Sequence, residues 1–340
     1  DERAEEPAFD EGEALDERSR RMIARADAAG MPASRIAERY GRSAASVRRI
    51  VNEARAERLR SLDLTGPEGP GFGAADADER FLAHDAVREE LVLPVERTLD
   101  GFLEQAAAEP KPAAAEERAI AAAHCYLLWR ARNGVESLPP YNPPASALDE
   151  IETRLRWAAL LRGRLVASQR PLALKTAGAF LSVGLEELPP AEARQVHALV
   201  MDAVIGAARV YDPFKGGRFA APAGLALNRA LARSALATRL REAAEGRARR
   251  AHAAHAPVDD WTARLAGWQG WLDVAAGERA AADELGEDAR ALLAARFGWE
   301  GAAPRTVAEI AAERGKAASA VSRVEREALR ELRRSSKSRA

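Results

Sequence analysis

Ser319, Ser322, Arg323, Arg326, Arg330 and Arg333 recur every three or four residues near the end of the chain. Residues on a helix advance about 100° each, so these six share one face, while Val321, Val324, Ala328 and Leu332 share the other. A row of guanidinium and hydroxyl groups makes and breaks no bonds. It binds: guanidinium forks grip phosphate or a guanine edge, and hydroxyls accept or donate to phosphate. The elements that must hold this row are readable around it. Ala289–Arg296 is an apolar helical run stopped at Phe297-Gly298, Thr306-Val307-Ala308-Glu309-Ile310 opens a second helix, and Gly315 breaks it before a third helix at Ser319–Arg334. A helix-turn-helix of this plan lays its last helix in the DNA major groove. The expected DNA contacts are Ser319, Ser322, Arg323, Arg326 and Arg330.

A second unit of similar plan lies near the start. Ser19–Ala29, Pro32–Tyr40 and Ala44–Arg60 read as three helices with turns at Gly30 and Gly41. Val47, Ile50, Val51 and Ala54 face inward in the third, and Arg49, Asn52 and Arg60 face outward. Arg49 and Asn52 are further DNA-contact candidates. A three-helix bundle with a solvated basic face reads equally well.

The net charge of −1 says little, but its distribution is uneven. Residues 1–17 carry nine acids and one arginine, residues 18–60 twelve arginines and four acids, and residues 305–340 ten basic and five acidic residues. Two basic blocks on helix-turn-helix spacing fit nucleic-acid contact better than a uniformly charged enzyme surface. The acidic tail is expected to be disordered.

The remaining composition excludes several classes. The 340 residues suffice for two or three domains, and 5% aromatics with an alanine-dominated 47% apolar content favour small helical bundles. Period-two runs of β-branched residues are absent, so the expected fold class is all-α, with several helical bundles and a helix-turn-helix at each end. Cys125 is the sole cysteine, which rules out an internal disulfide or a four-thiolate zinc site and fits a reducing cytoplasm. His252 and His255 are three apart with no second ligand pair, so no metal site is expected. His124, beside Cys125 in an apolar helix, reads as packing. With no phosphate loop, nucleophile elbow or dinucleotide fingerprint, no catalytic residue and no cofactor is expected. No apolar run reaches membrane-spanning length.

Between the two basic blocks the chain divides by its prolines and glycines. Residues 1–17 are the acidic tail and 18–62 the first helix-turn-helix. Residues 63–112 are linker and helix, residues 113–238 a central helical domain, and residues 239–284 a connector carrying Trp261, Trp268 and Trp271, read as cover for a small core. Residues 285–334 are the second helix-turn-helix and 335–340 a basic tail.

The second helix-turn-helix resembles the promoter-binding domain, region 4, of bacterial sigma factors of the sigma-70 family. The run Leu292-Leu293-Ala294-Ala295-Arg296-Phe297-Gly298-Trp299 resembles its first helix and turn, and Thr306–Ala311 its supporting helix. Val321–Arg333, with its Glu-x-x-Ala-Leu-x-x-Leu-Arg ending, resembles its recognition helix. The central stretch Ala207–Phe219, containing Tyr211-Asp212-Pro213-Phe214-Lys215-Gly216-Gly217-Arg218, is similar to the turn between the docking and melting helices of sigma region 2. The whole layout is similar to divergent sigma factors of planctomycete type.

The resemblance implies core RNA polymerase and double-stranded promoter DNA as partners. It implies Gln195, Ala198, Leu199 and Met201 at the polymerase-gripping positions, Phe219 as a stacking aromatic, and Arg229 and Arg233 along the DNA backbone. The departures are specific. The gripping positions lack the family's polar side chains, and the melting stretch has lost its aromatics around Leu225 and Leu227, so it offers bases no ring on which to stack. A divergent sigma factor, a sigma-like polymerase-binding protein that does not melt DNA, and a stand-alone regulator all remain open.

Overall fold

The computed structural model describes residues 15–88, 93, 96–244, 253–266, 268, 279 and 282–339. The protein is 70% helical and all-α, with no strand among the described residues. The acidic residues 1–14, His252 and Trp271 lie outside the described part.

The first three helices are α1 (Glu17–Ala28), α2 (Ala33–Arg39) and α3 (Ala44–Arg60). Polar caps start two of them: the Asp16 carboxylate accepts from Ser19 N at 2.8 Å, and Ser43 Oγ accepts from Ser46 N at 3.1 Å. Such caps satisfy otherwise orphaned amides and stabilise by about 1 kcal/mol each. Ile23, Ile36, Tyr40, Val47 and Ile50 close a small core between the three helices.

The segment read as a linker is packed. Short helices α4 (Ala77–Leu82) and α5 (Asp85–Arg88) follow it, then α6 (Leu99–Ala108). Phe72 inserts its ring among Phe81, Tyr126, Trp129 and Phe214, with centroids 5.0–5.8 Å away. The glycines and prolines therefore fold the strap around an aromatic anchor.

The centre is a helical hairpin of α7 (Ala114–Glu136) and α8 (Ala145–Ala167); α10 (Pro190–Val210) packs on α8, and α9 (Arg170–Leu181), α11 (Ala220–Arg233) and α12 (Ala235–Ala244) pack around α10 and one another. One apolar core runs through all of them. Between α11 and α12 the chain is extended at Ser234, which parts the two helices. Because α11 begins at Ala220, Pro222 falls in its first turn, where no intrahelical donor is lost.

Within the expected connector, residues from 253–266 and 268 also join this core. Trp261 and Trp268 are buried, and their indole N–H groups donate to Glu96 Oε2 at 3.1 Å and to the Leu155 carbonyl at 3.2 Å. Arg264 reaches Asp202 on α10 at 2.8 Å. The last three helices are α13 (Glu287–Phe297), α14 (Val307–Glu313) and α15 (Ala318–Arg339).

Candidate nucleic-acid interface

Local rules build the C-terminal unit. Gly298 ends α13 at φ +69°, and a Cβ there would meet the Ala302 carbonyl at 2.8 Å, so only glycine fits this turn. Thr306 and Glu309 then form a reciprocal cap. Thr306 Oγ1 accepts from Glu309 N at 3.1 Å, and the Glu309 carboxylate accepts from Thr306 N at 2.7 Å. Val321, Ala328 and Leu332 turn inward from α15 against Leu292, Ile310, Leu293 and Phe297.

The outward face carries the basic row. Ser319, Arg323 and Arg326 are exposed, while Ser322, Arg330 and Arg333 are half-buried. Arg323 and Arg326 make no ion pair among the described residues; Arg326 Nε donates only to the Ser322 carbonyl, at 3.2 Å. Both guanidinium groups are therefore available to a phosphate or a base edge.

Arg296, assigned no role above, anchors the unit. It is 2% exposed, and its guanidinium donates to Asp149 Oδ1 on α8 at 2.5 Å, to Glu325 Oε1 on α15 at 3.0 Å and to Thr153 Oγ1 at 3.3 Å. Asp149 also accepts from Val307 N at 2.7 Å. Burial disfavours the charge on Arg296, but Glu325 and Asp149 outweigh it and hold the guanidinium above its usual range. Its sequence signal was the Arg-Phe-Gly run. The partner on α8, 147 positions away, left none.

The N-terminal unit spends its corresponding helix differently. Asn52 Nδ2 donates to the Pro143 carbonyl at 3.2 Å, and Arg60 donates to the Pro139 carbonyl at 2.9 Å. Arg55 grips Glu152 of α8 with two bonds of 2.9 Å. Burial raises the Glu152 carboxyl, yet Arg55, followed by Arg156 and Arg296, brings it below the ordinary carboxylate range. Asn52 is thus a bracket rather than a free DNA reader, and Arg49 stays exposed. Between the two units and α8 lies a cleft of about 1250 Å³, lined among others by Asp27, Arg48, Arg55, Ser319, Ser322 and Arg326.

In the central domain the placements diverge from expectation. Phe219 is 0% exposed, its ring tilted against Tyr211 with centroids 5.1 Å apart, and its amide donates to Glu117 at 2.8 Å. A ring closed into the core cannot stack on a base, which corrects the expectation for Phe219. Leu227 is likewise buried, and Leu225 is exposed. Arg218 is paired with the buried Glu117 at 3.0 Å. Arg229 and Arg233 are exposed on α11.

Of the polymerase-gripping positions, Gln195 is exposed and Ala198 and Leu199 are half-buried. Met201 is 0% exposed and contributes to the core, a second correction. Helical periodicity explains it: Met201 falls in line with Val204, Ile205 and Ala208 on the inner face of α10.

Among the described residues no cluster of three or more metal-ligating side chains occurs, and no helix is long and apolar enough to cross a membrane. His124 is held by the Ala158 carbonyl at 2.8 Å and by Arg162, a packing arrangement. The chain matches no curated protein and no solved structure. Residues 281–334 match the family model of sigma-70, region 4, a helix-turn-helix DNA-binding domain, so the arginine-faced α15 lies in a stretch similar to that of sigma factors.

Proposed function

We propose that the protein is a sigma-factor-like subunit of transcription initiation, which binds core RNA polymerase and directs it to promoter DNA. The observation that carries this reading is the exposed, unpaired row of Ser319, Arg323 and Arg326 on the last helix of a region 4-like unit. On this reading α15 enters the major groove, Arg323 addresses a guanine edge, and Arg326 holds phosphate. Arg229 and Arg233 follow the backbone of the duplex from α11. The polymerase docks along α10 near Gln195, Ala198 and Leu199. The protein itself performs no catalysis.

Retention of core polymerase by the tagged full chain tests the proposal. Retention supports it, and its absence leaves a stand-alone regulator with two helix-turn-helix units. A second reading is favoured by the burial of Phe219 and the apolar outer face of α11 at Leu225: the protein occupies the sigma site without opening DNA. Permanganate footprinting of the reconstituted complex separates the two, since only an opening factor exposes unpaired thymines. A Leu225→Trp variant supplies the missing ring at the exposed position, and on the second reading it gains thymine reactivity.

A further inference from the structure

The cleft bounded by α3, α8 and α15 is lined by nine arginines and seven carboxylates. Most of these charges cancel in pairs. Asp149 and Glu325 are taken by Arg296, Glu152 by Arg55, Glu150 by Arg154 and Asp78 by Arg130. Glu309 is spent on the cap of α14. At the end of the basic row, Arg333 Nη1 donates to the Ala28 carbonyl at 2.5 Å. Two arginines are left over. Arg48 on α3 and Arg326 on α15 are exposed, line the same space and make no ion pair among the described residues. The one lining carboxylate not committed to an ion pair or hydrogen bond among the described residues is Asp27, and burial lifts its carboxyl above the usual range, so it carries a charge reluctantly.

The backbone adds to this excess of positive charge. The long helices α8 and α15 both begin at the cleft, where Ala145, Ser146 and Ala147 of the first and Ala318 and Ser319 of the second line its surface. Pro144 gives α8 no side-chain cap. The opening amides of a helix lack intrahelical acceptors and lie at the positive end of its dipole, which suits them to an anion. The hydroxyls of Ser319 and Ser322 lie along the same wall. A further stretch of wall is apolar, with Leu82 and Trp157. The Trp157 N–H is spent on the Val87 carbonyl at 3.0 Å, so ring surface is what this residue offers the cleft.

We infer that the cleft is a binding site for a small anion carrying two or more phosphate groups. Arg48 and Arg326 hold it from two different helices, and the first amides of α8 and α15 donate to its remaining oxygens. The cleft, about 1250 Å³, has room for a nucleoside triphosphate or for inorganic polyphosphate, and the Trp157 ring is the surface on which a base would rest. Ser319, Ser322 and Arg326 also stand in the row given to DNA above. On that reading ligand and duplex exclude each other at α15, although the site itself does not depend on it.

The test is calorimetric titration of the full chain with sodium tripolyphosphate, ATP and GTP at near-physiological salt. The variants are Arg48→Ala and Arg326→Ala, with Arg35→Ala, exposed and outside the cleft, as control. Circular dichroism checks their folding. The site predicts one tripolyphosphate per chain, bound about tenfold more weakly by each cleft variant and unchanged in the control. It also predicts slowed hydrogen exchange in the first turns of α8 and α15. Tighter binding of ATP or GTP than of tripolyphosphate makes the ligand a nucleotide, and equal binding makes the phosphates sufficient. No saturable binding, or equal weakening in all three variants, overturns the site. So does an Arg48→Ala variant that keeps its tripolyphosphate affinity and loses affinity for a 30-base-pair duplex, since the α3 wall would then belong to DNA. A chain that binds tripolyphosphate as predicted and binds no duplex leaves the site standing and removes the DNA-reading role.

Discussion

The two helix-turn-helix units share a plan and differ in what their third helices do. In α3 the outward polar residues are turned into brackets: Asn52, Arg55 and Arg60 fasten the unit to the α7–α8 hairpin. In α15 Arg323 and Arg326 make no ion pair among the described residues, and the unit is fastened from behind, through Arg296 on α13. The same motif thus serves as a clasp in one place and, on the proposed function, as a reading head in the other. A basic helix face is not evidence of nucleic-acid contact until the partners of each guanidinium are known.

The largest effect that would break this comparison lies at Arg296. Arg296→Ala leaves the buried Asp149 and the half-buried Glu325 without their shared cation, which costs about 3–5 kcal/mol. Urea unfolding should register the loss, and an unchanged midpoint would mean that the C-terminal unit is held by its apolar contacts alone. Next comes the clasp. Arg55→Ala removes two charge-assisted bonds to Glu152 and should cost about 2 kcal/mol while leaving duplex affinity no weaker than wild type. Weaker DNA binding in that variant would make α3 a reader after all.

The exposed arginines give the reciprocal result. Arg323→Ala should leave stability within about 0.5 kcal/mol of wild type and weaken duplex binding by about 1–3 kcal/mol, with relaxed preference at one base pair. Arg49→Ala, on the clasp unit, should change affinity less. Equal losses at the two positions would erase the distinction between clasp and reading head.

A smaller, graded effect concerns pH. Burial lowers His197 to about 4 and His124 to about 3. Neither ring nitrogen of His197 has a hydrogen-bond partner among the described residues, and its ring packs edge-on against Phe102 at 4.4 Å. Both histidines stay neutral in the folded protein where the unfolded chain protonates them. Stability contributed by the neutral form is therefore complete above about pH 6.5 and is lost progressively as pH falls toward 4. His197→Phe should flatten that acid limb in thermal melts across pH 4–7. The depressed carboxyl of Glu152 acts in the same direction at lower pH, where protonation releases Arg55.

Much of the architecture followed from periodicity and punctuation. The helix Ala44–Arg60 stands where apolar spacing and the turn at Gly41 put it. The strap around Phe72 did not, because glycines and prolines mark a bend without telling what the bend packs against. The docking positions on α10 followed the family pattern into Met201, where burial depends on neighbouring helices. The break between α11 and α12 falls at Ser234, a residue with no strong stop signal.

Local rules of the chain suffice for an all-α protein and a C-terminal helix with a basic outer face, because turn residues and the 3.6-residue repeat act within a few positions. Tertiary structure alone decided which arginines are free. That outcome depends on carboxylates and carbonyls such as Asp149, Glu152, Pro143 and Ala28, which lie about 90 to 300 positions from the groups they meet. Nothing in the spacing of one helix records a partner brought to it by the packing of others.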